Sequence, residues 1–371
     1  MIRRRCFLKI LTVMAASVLL LPSCGTATEA AEGSTPNTAA TAAEEPAEAP
    51  AQTEETEAPA QTEETEAPAQ TEEAEAPAQT EETGASEEEQ ALPDLYAMEL
   101  YDDVPDEYLE WHDDVDYGTI EADVQYYSET AGDYKYCNVL LPPGYDPSQE
   151  YPVLYMFHGF GGRYDSHVHE GSILQTLYGN MLREGLTVPM IIVGADMYTD
   201  LLSEKDGKTD AEMRPCYDKG VDDLALDLMP FIESHYSVKK GRLNTAVTGV
   251  SQGATTALAA GFKWQSKIGY TGSFAPCPGV IPTPFYEGSF WNWPILDDFT
   301  IESAQTMPRY IYLTVGTEDP WCIDSTAYYH EILDEKGIPN EYRLVEGYEH
   351  GNDLWALGHY NMLRKVFVSE E

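Results

Sequence analysis

The chain has 371 residues, with 65 Asp or Glu against 21 Lys or Arg, and a formal net charge of -44 at pH 7. So large an acidic excess repels phosphate backbones and anionic headgroups, which argues against nucleic acid as a partner and against electrostatic adsorption to a membrane. The excess is uneven, because no Lys or Arg occurs between Lys9 and Lys135.

Residues 1–24 begin with Arg3-Arg4-Arg5 and Lys9, run apolar from Ile10 to Leu21 and close on Leu21-Pro22-Ser23-Cys24. This is the pattern of a signal peptide, too short for a comfortable membrane span. Its end resembles a bacterial lipobox, from which cleavage before Cys24, lipidation of Cys24 and an extracytoplasmic, membrane-anchored address are expected. Ordinary secretion or an uncleaved anchor would place the chain outside the cytoplasm as well.

Residues 25–92 consist mainly of Ala, Pro, Thr, Gln and Glu, and Glu-Ala-Pro-Ala-Gln-Thr-Glu-Glu-Thr recurs, with one substitution, at a period of nine from Glu48 to Thr83. Such a segment buries too little apolar surface to pack. It is expected to be a disordered acidic linker, extended by its prolines and mutually repelling glutamates.

Residues 93–371 are long enough for one large domain with a substantial core. They alternate short β-rich apolar runs with helical stretches such as Gly220 to Tyr236, where Leu224, Leu228, Phe231 and Ile232 mark one face. That alternation predicts an α/β fold with a mostly parallel central sheet and helices on both faces. Residues 93–120, rich in Tyr and Asp, read as an irregular lead-in packed on the domain's edge.

Four segments carry candidate chemistry. Pro152 to Phe157 is an apolar strand running into His158-Gly159-Phe160-Gly161-Gly162, where glycines let the backbone approach a substrate carbonyl and Phe160 N–H is a candidate oxyanion donor. His158 itself reads as structural. Thr245 to Thr248 is a second strand, followed by Gly249-Val250-Ser251-Gln252-Gly253 and a helix-prone alanine-rich run. A serine on such a turn is exposed as a nucleophile, and residues two to either side must be glycine to avoid collision. Gln252 N–H, at the helix N-terminus, is the second candidate oxyanion donor.

Tyr310 to Val315 is a third strand, emptying into Gly316-Thr317-Glu318-Asp319-Pro320. Asp319 is the candidate orienting acid, with Glu318 and Asp324 as rivals and helix capping as its alternative role. The last strand, Glu341 to Val345, leads to His350, the candidate base. His359 competes with it but falls inside an amphipathic helix predicted from about Asn352 to Val366. Serine, acid and histidine in this order, each after a strand, make a candidate triad.

The aromatic stretch Phe285, Tyr286, Phe290, Trp291 and Trp293, with Trp321 and Trp355 near the acid and base, suits stacking on sugars or a phenolic acyl group. Trp291, Trp293, Trp321 and Trp355 are the expected substrate contacts. Once Cys6 and Cys24 are set aside, Cys137, Cys216, Cys277 and Cys322 remain. Outside the cell these permit a disulfide, with Cys277 and Cys322 the pair to test, or four unpaired thiols. No Cys/His spacing suggests zinc, and His167-x-His169 lacks a third ligand, so no metal or cofactor is expected.

Tyr126-Tyr127-Ser128, Asn138 to Tyr145, Tyr151 to Tyr155, His158-Gly159, the Asp223 to Tyr236 helix, GVSQG, GTEDP and the His350 loop together resemble the feruloyl esterase and esterase D group of α/β-hydrolases. The likeness covers nearly all of residues 118–369. It implies carboxylic-ester hydrolysis through an acyl-enzyme and is much less specific for substrate; the aromatic stretch and the extracytoplasmic address favour plant cell-wall carbohydrate esters, with a feruloyl esterase as the leading reading. An acetylxylan or short-chain esterase is the alternative, followed by a peptidase, and a non-catalytic surface carbohydrate-binding protein is a reading from another class. No obligate protein partner is evident. Gln252 stands where the group usually has Met, and Ala254 where a Gly usually follows.

Overall fold

A computed structural model describes residues 93–369. The leader, Cys24 and the nine-residue repeats lie outside the described residues.

The domain is built on one eight-stranded sheet: β1 (Thr119–Ser128), β2 (Asp133–Leu141), β3 (Val153–Phe157), β4 (Ile191–Ala195), β5 (Thr245–Val250), β6 (Tyr270–Phe274), β7 (Tyr310–Gly316) and β8 (Glu341–Val345). Their order is β1-β2-β4-β3-β5-β6-β7-β8. The β1–β2 and β2–β4 pairs are antiparallel, and all pairs from β4 to β8 are parallel. Parallel strands require crossovers, and these place helices on both faces.

The central strands show that double burial residue by residue. In β3, Val153, Tyr155 and Phe157 enter one core with Val247, Leu258, Leu313 and Leu333. Leu154 and Met156 enter the other with Leu177, Tyr312 and Leu357. Alternate side chains therefore serve opposite cores, which is why β3 reads as a continuous apolar run. Each such side chain contributes on the order of 1.5–3 kcal/mol relative to exposure.

The principal helices are α1 (Ile173–Arg183), α2 (Asp210–Asp218), α3 (Gln252–Lys263), α4 (Ile323–Glu335) and α5 (Asn352–Leu363). The helix expected from Gly220 to Tyr236 is present but not uniform. It runs as Gly220–Asp223, a π-helical stretch Leu224–Leu228, and Met229–His235. Leu224, Leu228 and Ile232 are fully buried along it, while Phe231 is only partly covered.

The lead-in packs more deeply than an edge decoration. Leu95 and Val104 are buried in the core, and the Tyr96 hydroxyl donates to Pro339 C=O and accepts from Ile311 N–H. Among the described residues, no helix is long and apolar enough to cross a membrane.

Candidate active site

Parallel strands β3, β5, β7 and β8 end on the same edge of the sheet, so the loops that follow them converge there. Ser251 follows β5 with φ 56° and ψ -124°, a region that non-glycine residues avoid at a cost of about 1–3 kcal/mol. The turn is packed as tightly as the motif requires. A Cβ on Gly249 would lie 2.2 Å from Gly253 C=O oxygen, and one on Gly253 would lie 2.3 Å from His158 C=O oxygen. Neither position accommodates a side chain.

His350, after β8, bridges the other two candidates. Its Nε2 is 2.9 Å from Ser251 Oγ and its Nδ1 is 2.6 Å from Asp319 Oδ2. Glu318 and Asp324 make no such contact, and His359 lies buried in α5 with neither ring nitrogen bonded among the described residues. Burial lowers the His359 pKa to about 3, so it is neutral.

Asp319 both orients the imidazole and closes the turn ahead of α4, whose N-cap is Cys322 and not Asp319. One carboxylate oxygen meets His350, while the other accepts Trp321 N–H at 2.9 Å and Cys322 N–H at 3.0 Å. Burial by itself would raise its pKa, but the His350 bond and these two N–H donors hold it below the ordinary carboxylate value. His350 is packed between two indoles, with Trp321 and Trp355 ring centroids at 5.1 and 4.9 Å, both edge-on.

The β3 loop passes directly beside the serine: a Cβ on Gly159 would sit 3.6 Å from Ser251 Cβ. His158 is buried and turned away, its Nδ1 bonded to Gly159 C=O at 2.7 Å and its Nε2 accepting Met197 N–H at 3.1 Å. Gln252 opens α3, so its N–H is one of the first-turn donors that a helix cannot satisfy internally. The Gln252 side chain is fully buried, and neither of its amide atoms is bonded among the described residues.

Ser251 and His350 open onto a cavity of about 250 Å³ also lined by Phe160, Cys277, Pro278, Tyr286, Trp291 and Trp321. Two of the four expected tryptophans, Trp291 and Trp321, are therefore on its wall. Trp293 and Trp355 are not. Trp293 is half exposed beside Phe290, and Trp355 is buried behind His350. Tyr286, Cys277 and Pro278 take part instead. A larger cavity of about 620 Å³, lined by Tyr134, Tyr136, Arg163, Tyr164 and Tyr198, includes neither Ser251 nor His350. Chemistry rather than volume therefore selects the smaller one.

The aromatic wall is held by a residue with no motif around it. Arg214, on α2 and completely buried, donates to Trp291 C=O at 2.9 Å, Trp293 C=O at 2.9 Å and Gly279 C=O at 3.3 Å, and pairs with Asp218 at 2.8 Å. It ties both ends of the 279–293 segment to α2. Phe160 meets the Trp291 ring edge-on at 4.8 Å, closing the wall against the β3 loop.

The side-chain donors of Asp319, Cys322 and His350 all lie within 4.8 Å of one another, a set of mixed softness that could ligate a metal. Both ring nitrogens of His350 are already hydrogen-bonded, however, so a metal there would displace the Ser251–His350–Asp319 chain. Through that chain the site has what proton transfer from a serine to an imidazole needs: hydrogen-bond distance, an oriented ring and a counter-charge.

Residues 128–361 match the Esterase family model, described as Putative esterase. The chain belongs to that esterase family, and it is a carboxylic-ester hydrolase of the α/β-hydrolase superfamily. The ferulic acid esterase AmCE1/Fae1A of the anaerobic fungus Anaeromyces mucronatus, solved in complex with ferulic acid, is 32% identical, with a TM-score of 0.66 over 73% of this chain and 98% of that one. An endo-1,4-beta-xylanase/feruloyl esterase of Xylanibacter ruminicola is 28% identical over 268 residues. That match takes in 70% of this chain but only 33% of the relative's length. A feruloyl esterase module from Clostridium thermocellum, solved with sinapinate, shares the fold at 18% identity and a TM-score of 0.52.

Proposed function

We propose that the protein is a feruloyl esterase acting on plant cell-wall carbohydrate esters through an acyl-enzyme. The observation that carries this reading is the Ser251–His350–Asp319 hydrogen-bond chain opening onto a small cavity walled by Phe160, Tyr286, Trp291 and Trp321. Flat aromatic walls favour a planar phenolic acyl group over an acetyl, which would leave most of that surface unfilled. The likeness to an esterase solved with ferulic acid supports the same choice.

In this mechanism His350 Nε2 takes the Ser251 proton as Oγ attacks the ester carbonyl. Phe160 and Gln252 N–H groups receive the oxyanion. The carbonyl re-forms, expelling the sugar alkoxide, and His350 returns the proton to it. Water then attacks the acyl-enzyme by the same route, releasing the acid and free Ser251. Asp319 keeps the imidazole in the tautomer with Nδ1–H and supports its charge after proton uptake. The address belongs to the proposal too: cleavage before Cys24, lipid on Cys24, and residues 25–92 as a spacer holding the enzyme clear of the membrane. It is supported by the Arg-rich, apolar leader and by Leu21-Pro22-Ser23-Cys24.

The test is kcat/KM on methyl ferulate and on an aryl acetate, with Ser251→Ala as reference. A strong ferulate preference, lost by roughly 10⁴–10⁶ in kcat in the variant, is expected. Preference for acetate would move the activity to deacetylation. Undiminished turnover in Ser251→Ala would overturn the nucleophile.

A further inference from the structure

Two cysteines meet beside the proposed acyl pocket, Cys277 on its lining and Cys322 behind it. Cys277 lies in the loop after β6 and Cys322 immediately precedes α4, 45 positions apart in the chain. Their sulfurs are 2.8 Å apart, within about 0.8 Å of the roughly 2.05 Å length of a disulfide bond.

Backbone anchoring, not side-chain chance, brings them together. Cys277 C=O accepts from the Thr255 hydroxyl of α3 at 2.9 Å and from the Tyr329 hydroxyl of α4 at 3.0 Å. Pro276 C=O accepts from Ser325 of α4 at 2.7 Å. Cys322 is fixed through its N–H on Asp319 and through its C=O, which accepts from Thr326 at 2.7 Å.

The two thiols differ in access. Cys277 is half-buried, lines the pocket and places its sulfur 3.6 Å from Ser251 Oγ. Cys322 is buried behind it. Cys137 and Cys216 are buried elsewhere, Cys216 bonded to Asp200 and the Glu212 carbonyl.

We propose that Cys277 and Cys322 form a reversible disulfide, with Cys277 the thiol that reacts first from the pocket and Cys322 the one that closes the bond. With a small-molecule disulfide as oxidant, the Cys277 thiolate attacks one sulfur, the reagent's S–S bond breaks and one thiol leaves. The Cys322 thiolate then attacks the Cys277 sulfur of the mixed disulfide and expels the second thiol. Two protein thiols are oxidised and one disulfide is reduced to two thiols. The hydrogen bond from Cys322, with a further one from Ser251 and the nearby His350, pulls the Cys277 thiol below its ordinary pKa, while burial pushes Cys322 up. That order favours Cys277 as the attacking sulfur.

The closed bond ties the β6 loop to the turn carrying Asp319. It therefore braces the acid side of the pocket without passing through the hydrogen bonds to His350.

The test uses the whole protein incubated with oxidised glutathione or with dithiothreitol, alkylated, digested without reduction and read by mass spectrometry. A cross-linked Cys277–Cys322 peptide is expected in the first sample and its two alkylated halves in the second, with a Tm about 5–10 °C higher for the oxidised form. The Tm difference should vanish in Cys277→Ala. Cys322→Ala should stop at a glutathione adduct on Cys277. Full alkylation of both cysteines in folded, glutathione-treated protein would overturn the disulfide. An adduct forming on Cys322 in Cys277→Ala faster than on Cys277 in Cys322→Ala would overturn the order. None of these readouts depends on which ester the enzyme cleaves.

Discussion

The pocket at Ser251 has two walls built in opposite ways. The Ser251, Asp319 and His350 wall is made of strand ends: Ser251 and Asp319 follow β5 and β7, which the sheet holds on both sides, and His350 follows the edge strand β8, which pairs with β7. The aromatic wall from Gly279 to Trp293 has no regular structure beyond one 3₁₀ turn, Phe290–Asn292, and is held by side chains: Arg214 on the Gly279, Trp291 and Trp293 carbonyls, Tyr329 on Val280 N–H and Tyr328 on Pro282 C=O. Position on the first wall is set by backbone ladders; on the second it is set by a few side chains, Arg214 with the most bonds among them. The first should tolerate little chemical change but keep its shape, whereas the second should lose its shape when Arg214 is lost.

The sharpest way to probe the first wall separates the two jobs of Asp319. Asp319→Asn keeps an oxygen for Trp321 and Cys322 N–H but presents an amide to His350. It should lower kcat by about 10⁴ through the wrong imidazole tautomer while leaving Tm nearly unchanged. Asp319→Ala should lose activity similarly and also cost about 1–2 kcal/mol of stability, read by urea unfolding, because the two N–H groups lose their acceptor. If Asn proves as destabilising as Ala, the turn-closing and orienting roles are not separable and the division between the walls is too simple.

The second wall breaks through Arg214→Met. Removal of the guanidinium leaves the Gly279, Trp291 and Trp293 carbonyls and the Asp218 carboxylate without it, a loss of about 3–5 kcal/mol for a buried charge partner. Trp291 should then drift from the pocket. The kinetic signature is a raised KM for a phenolic ester with kcat on a small aryl acetate little changed, checked on protein that still melts cooperatively. Equal loss on both substrates would show that the aromatic wall supports the triad as well.

Legibility in the sequence follows the same division. The ends of β5, β7 and β8 can be read because an apolar run passing into Gly, Asp or Pro is a local signal, and the 249–253 turn states its own steric demand. The choice of Asp319 over Glu318 and Asp324 depends on which carboxylate reaches back toward the sheet, which only the fold displays. Arg214 shows locally only an (i,i+4) pair with Asp218; the carbonyls it holds in the aromatic wall lie 65 to 79 residues away. Which aromatics face the cavity is equally non-local: Tyr286 and Trp291 turn inward, while Trp293 lends only its carbonyl to Arg214. The π-helical stretch at Leu224–Leu228 is hidden for another reason, because one extra residue in a turn leaves the apolar period almost unchanged.

The smallest effect expected concerns what stands behind the first wall. Helix α5 backs the triad through Trp355 against His350 and through His359 against Phe274, whose rings meet edge-on at 5.0 Å. Burial lowers the His359 pKa to about 3, and burial, with neighbouring His158 and His169, lowers that of His167 in the β3 loop to about 4. An unfolded histidine takes a proton near pH 6.5, so between that value and the folded pKa the unfolded chain binds more protons than the native one. These two residues therefore contribute stability that is complete above about pH 6.5 and is lost as the pH falls toward 4 and 3, at up to about 1.4 kcal/mol per pH unit for each. Urea unfolding at about pH 7 and about pH 5 should show that loss, and His359→Leu should remove roughly half of it. A variant with the full acid sensitivity of the parent would place the loss elsewhere, and the triad wall would then owe none of its acid sensitivity to α5.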